Sequence, residues 1–204
     1  MFDEADDSGM DRLRVGIALY NAGRYLPAHE PLEELWLEAP AGEREPCLKG
    51  LIQASAAVYK CRGGNDEGAI GLAESARGYL TDCSDVDTES LRAWLERLVT
   101  DPTVGRETDP PELRLDGEVI GIYDLSPAEA VVAIEAVAGI EGDDLLRTAC
   151  GYAERDIADR DARSPFLTLA LECITDPKPV VRQRLREHVD RRETRDSDVE
   201  GLFE

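Results

Sequence analysis

Segment 29–34 places one histidine beside three glutamates, His29 with Glu30, Glu33 and Glu34. His29 and Glu33 are four residues apart, so a helix would put their side chains on one face. An imidazole next to carboxylates can bind a metal ion, accept a proton, or form a polar seam between packed helices. The neighbouring sequence therefore has to distinguish these roles.

A divalent metal is one possible role, in which His29 and Glu33, with Glu30, supply two or three ligands. Di-iron bundles need Glu-x-x-His motifs on paired helices, and only one histidine lies in this part of the chain. The second histidine of the chain, His188, lies in an arginine-rich stretch where we expect it to be exposed. The segment also lacks the second histidine of a zincin motif. We therefore expect no cofactor, with a metal at His29 and Glu33 as the alternative.

Two further roles for this segment need no metal. In one, a buried His29–Glu33 pair bonds to Gln53 or Tyr59 and is covered by Trp36, which fixes the register of the helices. In the second, a shallow cleft for a ligand or partner is lined by side chains of both helices: His29, Glu30, Glu33, Gln53 and Lys60.

Catalysis would need more than this segment offers. No Ser or Cys lies in a nucleophile elbow or triad context, and Gly63-Gly64 is not followed by the Lys-Ser/Thr of a phosphate loop. The sequence therefore favours a non-enzymatic helical interaction or scaffold protein. A metal-binding or metal-dependent hydrolase-like protein centred on His29 and Glu33 is the alternative.

Helical periodicity and caps predict an all-α fold. The first half is expected to be an N-terminal bundle of about five helices, built from helix hairpins over residues 10–100. These helices are predicted at about 11–22, 27–38, 46–61, 66–80 and 87–99. Pro27 and Pro31 fall in or near the first turn of the second helix, and Gly23 ends the first.

The second half differs in composition. Residues 101–125 form a linker in which Asp116-Gly117, between alternating apolar residues, predicts a short β-hairpin. Ser126-Pro127-Ala128-Glu129 is a helix-start signal with a capping box. It opens a C-terminal helical unit over 126–195, with helices at about 127–139, 142–158, 165–175 and 178–192. Residues 1–9 and 196–204 are expected to be flexible tails.

The charge balance is strongly acidic. The 204 residues include 44 Asp and Glu against 23 Lys and Arg, for a net charge of -21, and only three of the basic residues are lysines. This composition is typical of a halophilic, cytoplasmic, soluble protein, because high salt screens the repulsion between carboxylates. It disfavours nucleic acid as a partner. No apolar run approaches the roughly 20 residues of a membrane span, so we expect an unknown protein or small-molecule partner and a monomer or homodimer.

The clustered arginines and the cysteines are predicted to have structural roles. The densest basic run is interleaved with acids, which predicts a solvated, ion-paired helix; its arginines are Arg182, Arg184, Arg186, Arg191, Arg192 and Arg195. The five cysteines are odd in number and form no Cys-x-x-Cys pair, which predicts buried, reduced thiols; they are Cys47, Cys61, Cys83, Cys150 and Cys173.

Segments AHEPLEELW and LKGLIQASAAVYK resemble the DUF309 family of small helical proteins of unknown function. The resemblance covers roughly residues 11–99, and it rests on unlike residue types at fixed spacing: Asn21, Gly23, Tyr25, His29, Glu30, Glu33, Trp36, Gly50, Ile52, Gln53 and Ala57. The family often has a histidine near the end of the third helix, where this chain has Tyr59-Lys60. The resemblance implies a compact helical bundle and brings no activity or substrate.

Overall fold

The computed structural model describes residues 4–40, 45–81, 83–159 and 164–200, and it divides the chain into two units, 1–125 and 126–204. The all-α prediction with a short β-hairpin is confirmed. Within the described residues no helix is both long and apolar enough to cross a membrane.

The N-terminal unit is a bundle of antiparallel helix hairpins, in which neighbouring helices along the chain pack on each other. Its helices are α1 (Glu4–Asn21), α2 (Tyr25–Glu38), α3 (Pro46–Arg62), α4 (Asp66–Tyr79), α5 (Glu89–Thr100) and the short α6 (Val104–Glu107). Helix α1 begins at Glu4 rather than at about residue 11, so part of the predicted flexible tail is helical. Gly23, with φ +74°, ends the α1 turn as predicted.

Two glycines set how closely these helices approach. A Cβ at Gly16 would lie 2.5 Å from the Leu32 side chain, and one at Gly50 would lie 2.7 Å from Leu80. Leu32 and Leu80 are both fully buried. The missing Cβ therefore lets α2 seat on α1 and lets the end of α4 seat on α3.

The N-terminal unit also contains a small antiparallel sheet. Its strands are β1 (Val86–Asp87), β2 (Arg114–Leu115) and β3 (Glu118–Val119), in the order β1-β2-β3. Asp116 and Gly117 form the predicted two-residue turn, with φ of 50° and 82°, as a type I′ hairpin requires. The pairing of β1 with β2 was not predicted. A 3₁₀ turn, Ile122–Asp124, follows.

The C-terminal unit contains four further helices within its described residues: α7 (Pro127–Glu141), α8 (Asp144–Ala158), α9 (Pro165–Thr175) and α10 (Pro179–Glu200). The predicted capping box starts α7, because Ser126 Oγ accepts from the Glu129 amide and Glu129 Oε2 accepts from the Ser126 amide. Helix α10 runs on to Glu200, beyond the predicted end near 192 and into the predicted flexible tail.

Candidate functional site

Helix α2 carries the residues that the sequence singled out. His29 Nδ1 lies 3.6 Å from Glu33 Oε2, and the two side chains are 29% and 50% exposed. The pair is therefore a loose contact at the edge of the bundle, and the predicted buried pair covered by Trp36 is not what the structure shows. Trp36 is itself only half-buried. Pro27 lies in the first turn of α2, but Pro31 lies further inside the helix, where it removes a backbone hydrogen bond.

Glu30 and Gln53 each have one side-chain oxygen that is buried. Glu30 Oε2 and Gln53 Oε1 are buried, and neither has a hydrogen-bond partner among the described residues. Burial raises the pKa of Glu30, the neighbouring Glu34 raises it further, and His29 opposes the shift. Within the described structure, these two oxygens are therefore polar groups without compensation at the motif.

The residues of the predicted site at the end of α3 lie nearer the surface than the buried oxygen of Gln53. Tyr59 is 49% exposed, so it is not part of the buried network in which it was predicted to bond to the His29–Glu33 pair. Lys60 is half-buried at the end of the same helix. Across the described part of the chain, no hydrogen bond or ion pair joins His29 or Glu33 to Gln53, Tyr59 or Lys60. The predicted residues are thus on two packed helices without forming one connected polar network.

The potential metal donors at this place are few. Over the described ranges, no group of three or more His, Cys, Asp and Glu side chains is arranged to hold a metal ion. His29 and Glu33 offer two donors, whereas protein sites for transition metals usually supply three or four. His29 and Glu33 therefore do not belong to such a group among the described residues.

Asn21 is the motif residue whose role the sequence did not reveal. Its side-chain amide donates to the carbonyls of Leu113 and Ile120, both at 3.0 Å, and its Oδ1 accepts from the Leu113 amide at 2.8 Å. One side chain at the end of α1 therefore holds both ends of the β2–β3 hairpin. These partners are more than 90 residues away in sequence, so no local pattern could have identified them.

A disulfide joins Cys47 to Cys83, with the Cα atoms 5.3 Å apart. The prediction of free thiols is wrong for this pair, because the α3–α4 hairpin brings the start of α3 next to the segment that follows α4. Cys61, Cys150 and Cys173 are buried thiols, as predicted. Burial raises the pKa of Cys150 to about 12 and raises that of Cys61, so neither is a poised nucleophile.

A cleft of about 260 Å³ lies next to this disulfide. Its apolar side chains come from α1, α2, α3 and β1: Leu13, Leu35, Leu48, Leu51 and Val86. Glu45 and Asp85 also line it, and both residues are exposed. Neither carboxylate forms an ion pair with any other described residue. The cleft is therefore an apolar depression with an acidic rim, and Cys47–Cys83 ties two of its sides together.

Residues 13–72 match the family described as "Domain of unknown function (DUF309)". This segment is similar to the DUF309 family. The chain is also 30% identical over 99 residues to an uncharacterized protein of Aquifex aeolicus (strain VF5). That match covers 47% of this chain and 29% of the relative, so the chain spans less than a third of the curated protein that it matches. The DUF309 segment includes α2, α3, Asn21 and most of the cleft walls.

Proposed function

We propose that the N-terminal unit is a non-enzymatic interaction module that binds a segment of a partner protein in the cleft beside Cys47–Cys83. The observation that carries the proposal is the combination of apolar walls with a rim of carboxylates that pair with no described residue. At about 260 Å³ the cleft is smaller than typical metabolite pockets. It suits one or two apolar side chains of a peptide better than a whole small molecule.

The charge of the rim favours a basic peptide. Glu45 and Asp85 carry negative charge at the mouth of the cleft, and the chain as a whole has a net charge of -21. A partner segment with leucine-like anchors flanked by Lys or Arg would match both the walls and the rim. An acidic or purely polar segment would be repelled or would leave the apolar walls exposed.

The test uses a synthetic probe peptide, acetyl-Lys-Arg-Leu-Leu-Lys-Arg-amide with a fluorescent label, and fluorescence anisotropy with the full chain. We expect E45K/D85K to weaken binding at least tenfold, because two attractive contacts become repulsive. The matched control is E74K/E112K, which changes the net charge equally at positions outside the cleft. Equal weakening by both double variants would mean attraction by net charge alone and would refute the cleft as the site.

We propose further that the protein works without a metal or other cofactor, as a monomer or homodimer. The support for the first part is the donor set at His29 and Glu33, which supplies two ligands. Metal analysis of purified wild-type protein and light scattering of the full chain test the two parts.

We propose a halophilic, cytoplasmic setting, on the basis of the acidic, lysine-poor composition. The disulfide argues in the opposite direction, because disulfides are rare in reducing compartments. A cytoplasmic location therefore predicts that Cys47 and Cys83 react with an alkylating reagent in freshly lysed cells. Salt adaptation predicts that the melting temperature rises from dilute buffer to molar KCl. An unchanged melting temperature would refute it.

A further inference from the structure

The C-terminal unit has a cleft of about 310 Å³ with an unusual lining for so acidic a chain. Helix α10 contributes one histidine and three arginines to it: His188, Arg191, Arg192 and Arg195. Asp156 from α8 and Phe166 from the start of α9 line it as well. The arginine run that the sequence predicted to be a solvated helix face is therefore partly the wall of a depression.

Helical geometry explains why these four residues meet there. His188, Arg191, Arg192 and Arg195 follow the i, i+3, i+4, i+7 spacing that places side chains on one face. Leu185 and Val189, which are buried, anchor the same helix in the unit. The basic stripe lies beside this buried face, so its side chains reach the cleft instead of spreading around the helix.

Arg192 is held in place by the protein itself. Its Nη1 lies 3.2 Å from Asp156 Oδ1 and its Nε lies 3.3 Å from Asp196 Oδ1. Asp156 in turn accepts a 2.8 Å hydrogen bond from Ser164 Oγ. The Arg192 guanidinium also lies 5.4 Å from the centre of the Tyr152 ring. The carboxylate of Asp156, which lines the cleft, is thus already neutralised.

Arg191 and Arg195 have no such compensation among the described residues. Both are exposed, and neither forms an ion pair with a carboxylate in the part of the chain that the structure describes. Arg191 Nε donates to the Glu187 carbonyl at 2.8 Å, which orients its guanidinium without neutralising it. Arg191 and Arg195 therefore bring two guanidinium groups without a described carboxylate partner into the lining of one cleft, next to Arg192.

We propose that this cleft binds a small phosphate-bearing molecule through Arg191, Arg195 and Arg192. Planar guanidinium groups bind phosphate oxygens in pairs, and adjacent positive charges repel one another until an anion lies between them. The Phe166 ring, which packs edge-on against His188 at 6.2 Å, provides an apolar wall for the rest of the ligand. The cleft volume of about 310 Å³ lies at the lower limit for small-molecule sites, as suits a ligand of the size of pyrophosphate.

The experiment is calorimetric titration of the full chain with inorganic pyrophosphate at 0.1 M and 1 M KCl. We expect R191Q and R195Q each to weaken binding about tenfold, as the loss of a charge-assisted hydrogen bond does. The control is R186Q, which removes the same charge about 200° around the helix from His188. It should change the affinity less than twofold. All three arginines are exposed, and circular dichroism checks that the variants fold.

Three outcomes would overturn the proposal. The first is no binding of 5 mM pyrophosphate to the wild type, and the second is an R186Q defect as large as that of R195Q. The third is equal affinity for citrate, which would show a general anion site instead of a phosphate site. Pyrophosphate binding that is lost in R191Q and R195Q, kept in R186Q and at least tenfold stronger than citrate binding supports it.

Discussion

The two units of the chain are stabilised by different kinds of long-range link. In the N-terminal unit these links are the Cys47–Cys83 disulfide and the neutral side chain of Asn21. In the ion pairs that Arg12, His29, Arg62, Arg77 and Arg106 form in that unit, each carboxylate is at least 40% exposed. In the C-terminal unit, Asp143 and Asp156 form ion pairs while only 9% and 10% exposed.

Because of this difference, we expect the two units to be destabilised by different changes in solvent conditions. Exposed ion pairs contribute little and are screened by salt, whereas buried ones are costly to break. Reducing agents should therefore affect the N-terminal unit and acid the C-terminal unit. Both tryptophans, Trp36 and Trp94, lie in the N-terminal unit, so their fluorescence reports on that unit and circular dichroism reports on both.

Removing the disulfide should have the largest effect. The bond closes a loop with a sequence separation of 36, so C47S/C83S should lower the free energy of unfolding of the N-terminal unit by about 3–4 kcal/mol. Urea unfolding followed by tryptophan fluorescence measures this. The same variant in the presence of reductant is the control, since it should not change further. If the urea midpoint of the fluorescence transition does not change, the disulfide does not stabilise the N-terminal unit, and this difference between the two units is refuted.

Asn21 should come next. N21L leaves the Leu113 amide and two carbonyls without their partner, which should cost about 2–3 kcal/mol. Hydrogen exchange should show loss of protection at the Leu113 amide in particular. N65A is the matched control, because Asn65 caps α4 locally through the Gly68 amide. If N65A exposes the Leu113 amide as strongly as N21L does, Asn21 is not the anchor of the hairpin.

Asp143 tests the C-terminal half. Its carboxylate caps α8 through the Leu145 and Leu146 amides and pairs with Arg182. Burial raises its pKa, but the hydrogen bonds from Arg182 and from these amides outweigh burial, so the net pKa is lowered. A lowered pKa in the folded state means stability that is present above the unfolded value of about 3.9 and is lost as pH falls towards the folded value.

We therefore expect D143N to lower the stability of the C-terminal unit by about 1–2 kcal/mol at pH 7 and to match wild type near pH 2. Asparagine still caps the helix, so the difference isolates the charge. Circular dichroism at several pH values follows it, with an unchanged tryptophan transition. D144N is the control, since Asp144 is 92% exposed in its pair with Arg147. A constant D143N deficit across this pH range would contradict the ionic account.

Local signals in the sequence were sufficient for most of the fold. The Ser126–Glu129 capping box, Gly23 and Asp116-Gly117 each specify a backbone conformation within four residues, and the structure has all three where predicted. The helix starts at Pro46, Asp66, Pro127 and Pro165 were predicted for the same reason. Caps and turns are decided by neighbouring residues, so a single sequence contains them.

Contacts between distant residues could not be predicted in this way. Cys47 and Cys83 pair because two helices form a hairpin, and five cysteines alone do not reveal which of them meet. Asn21 resembles any helix-ending asparagine until its hairpin partners are known. The arginine run of α10 is a largely solvated, partly ion-paired helix face, as predicted. Periodicity did not show that Arg191, Arg192 and Arg195 also line a cleft.

Among these variants, substitution of His29 should have the smallest effect on the free energy of unfolding. Its contact with Glu33 is 3.6 Å long and both side chains are solvated, so H29A should change the free energy of unfolding by less than about 0.5 kcal/mol. The metal content of the protein should not change either. H188A is the control, because it removes the second histidine of the chain. Loss of an equimolar metal in H29A alone would mean that His29 and Glu33 bind a ligand. A cost above about 1 kcal/mol would mean that the pair stabilises the bundle. Either result would contradict its assignment to the weak contacts of the N-terminal unit.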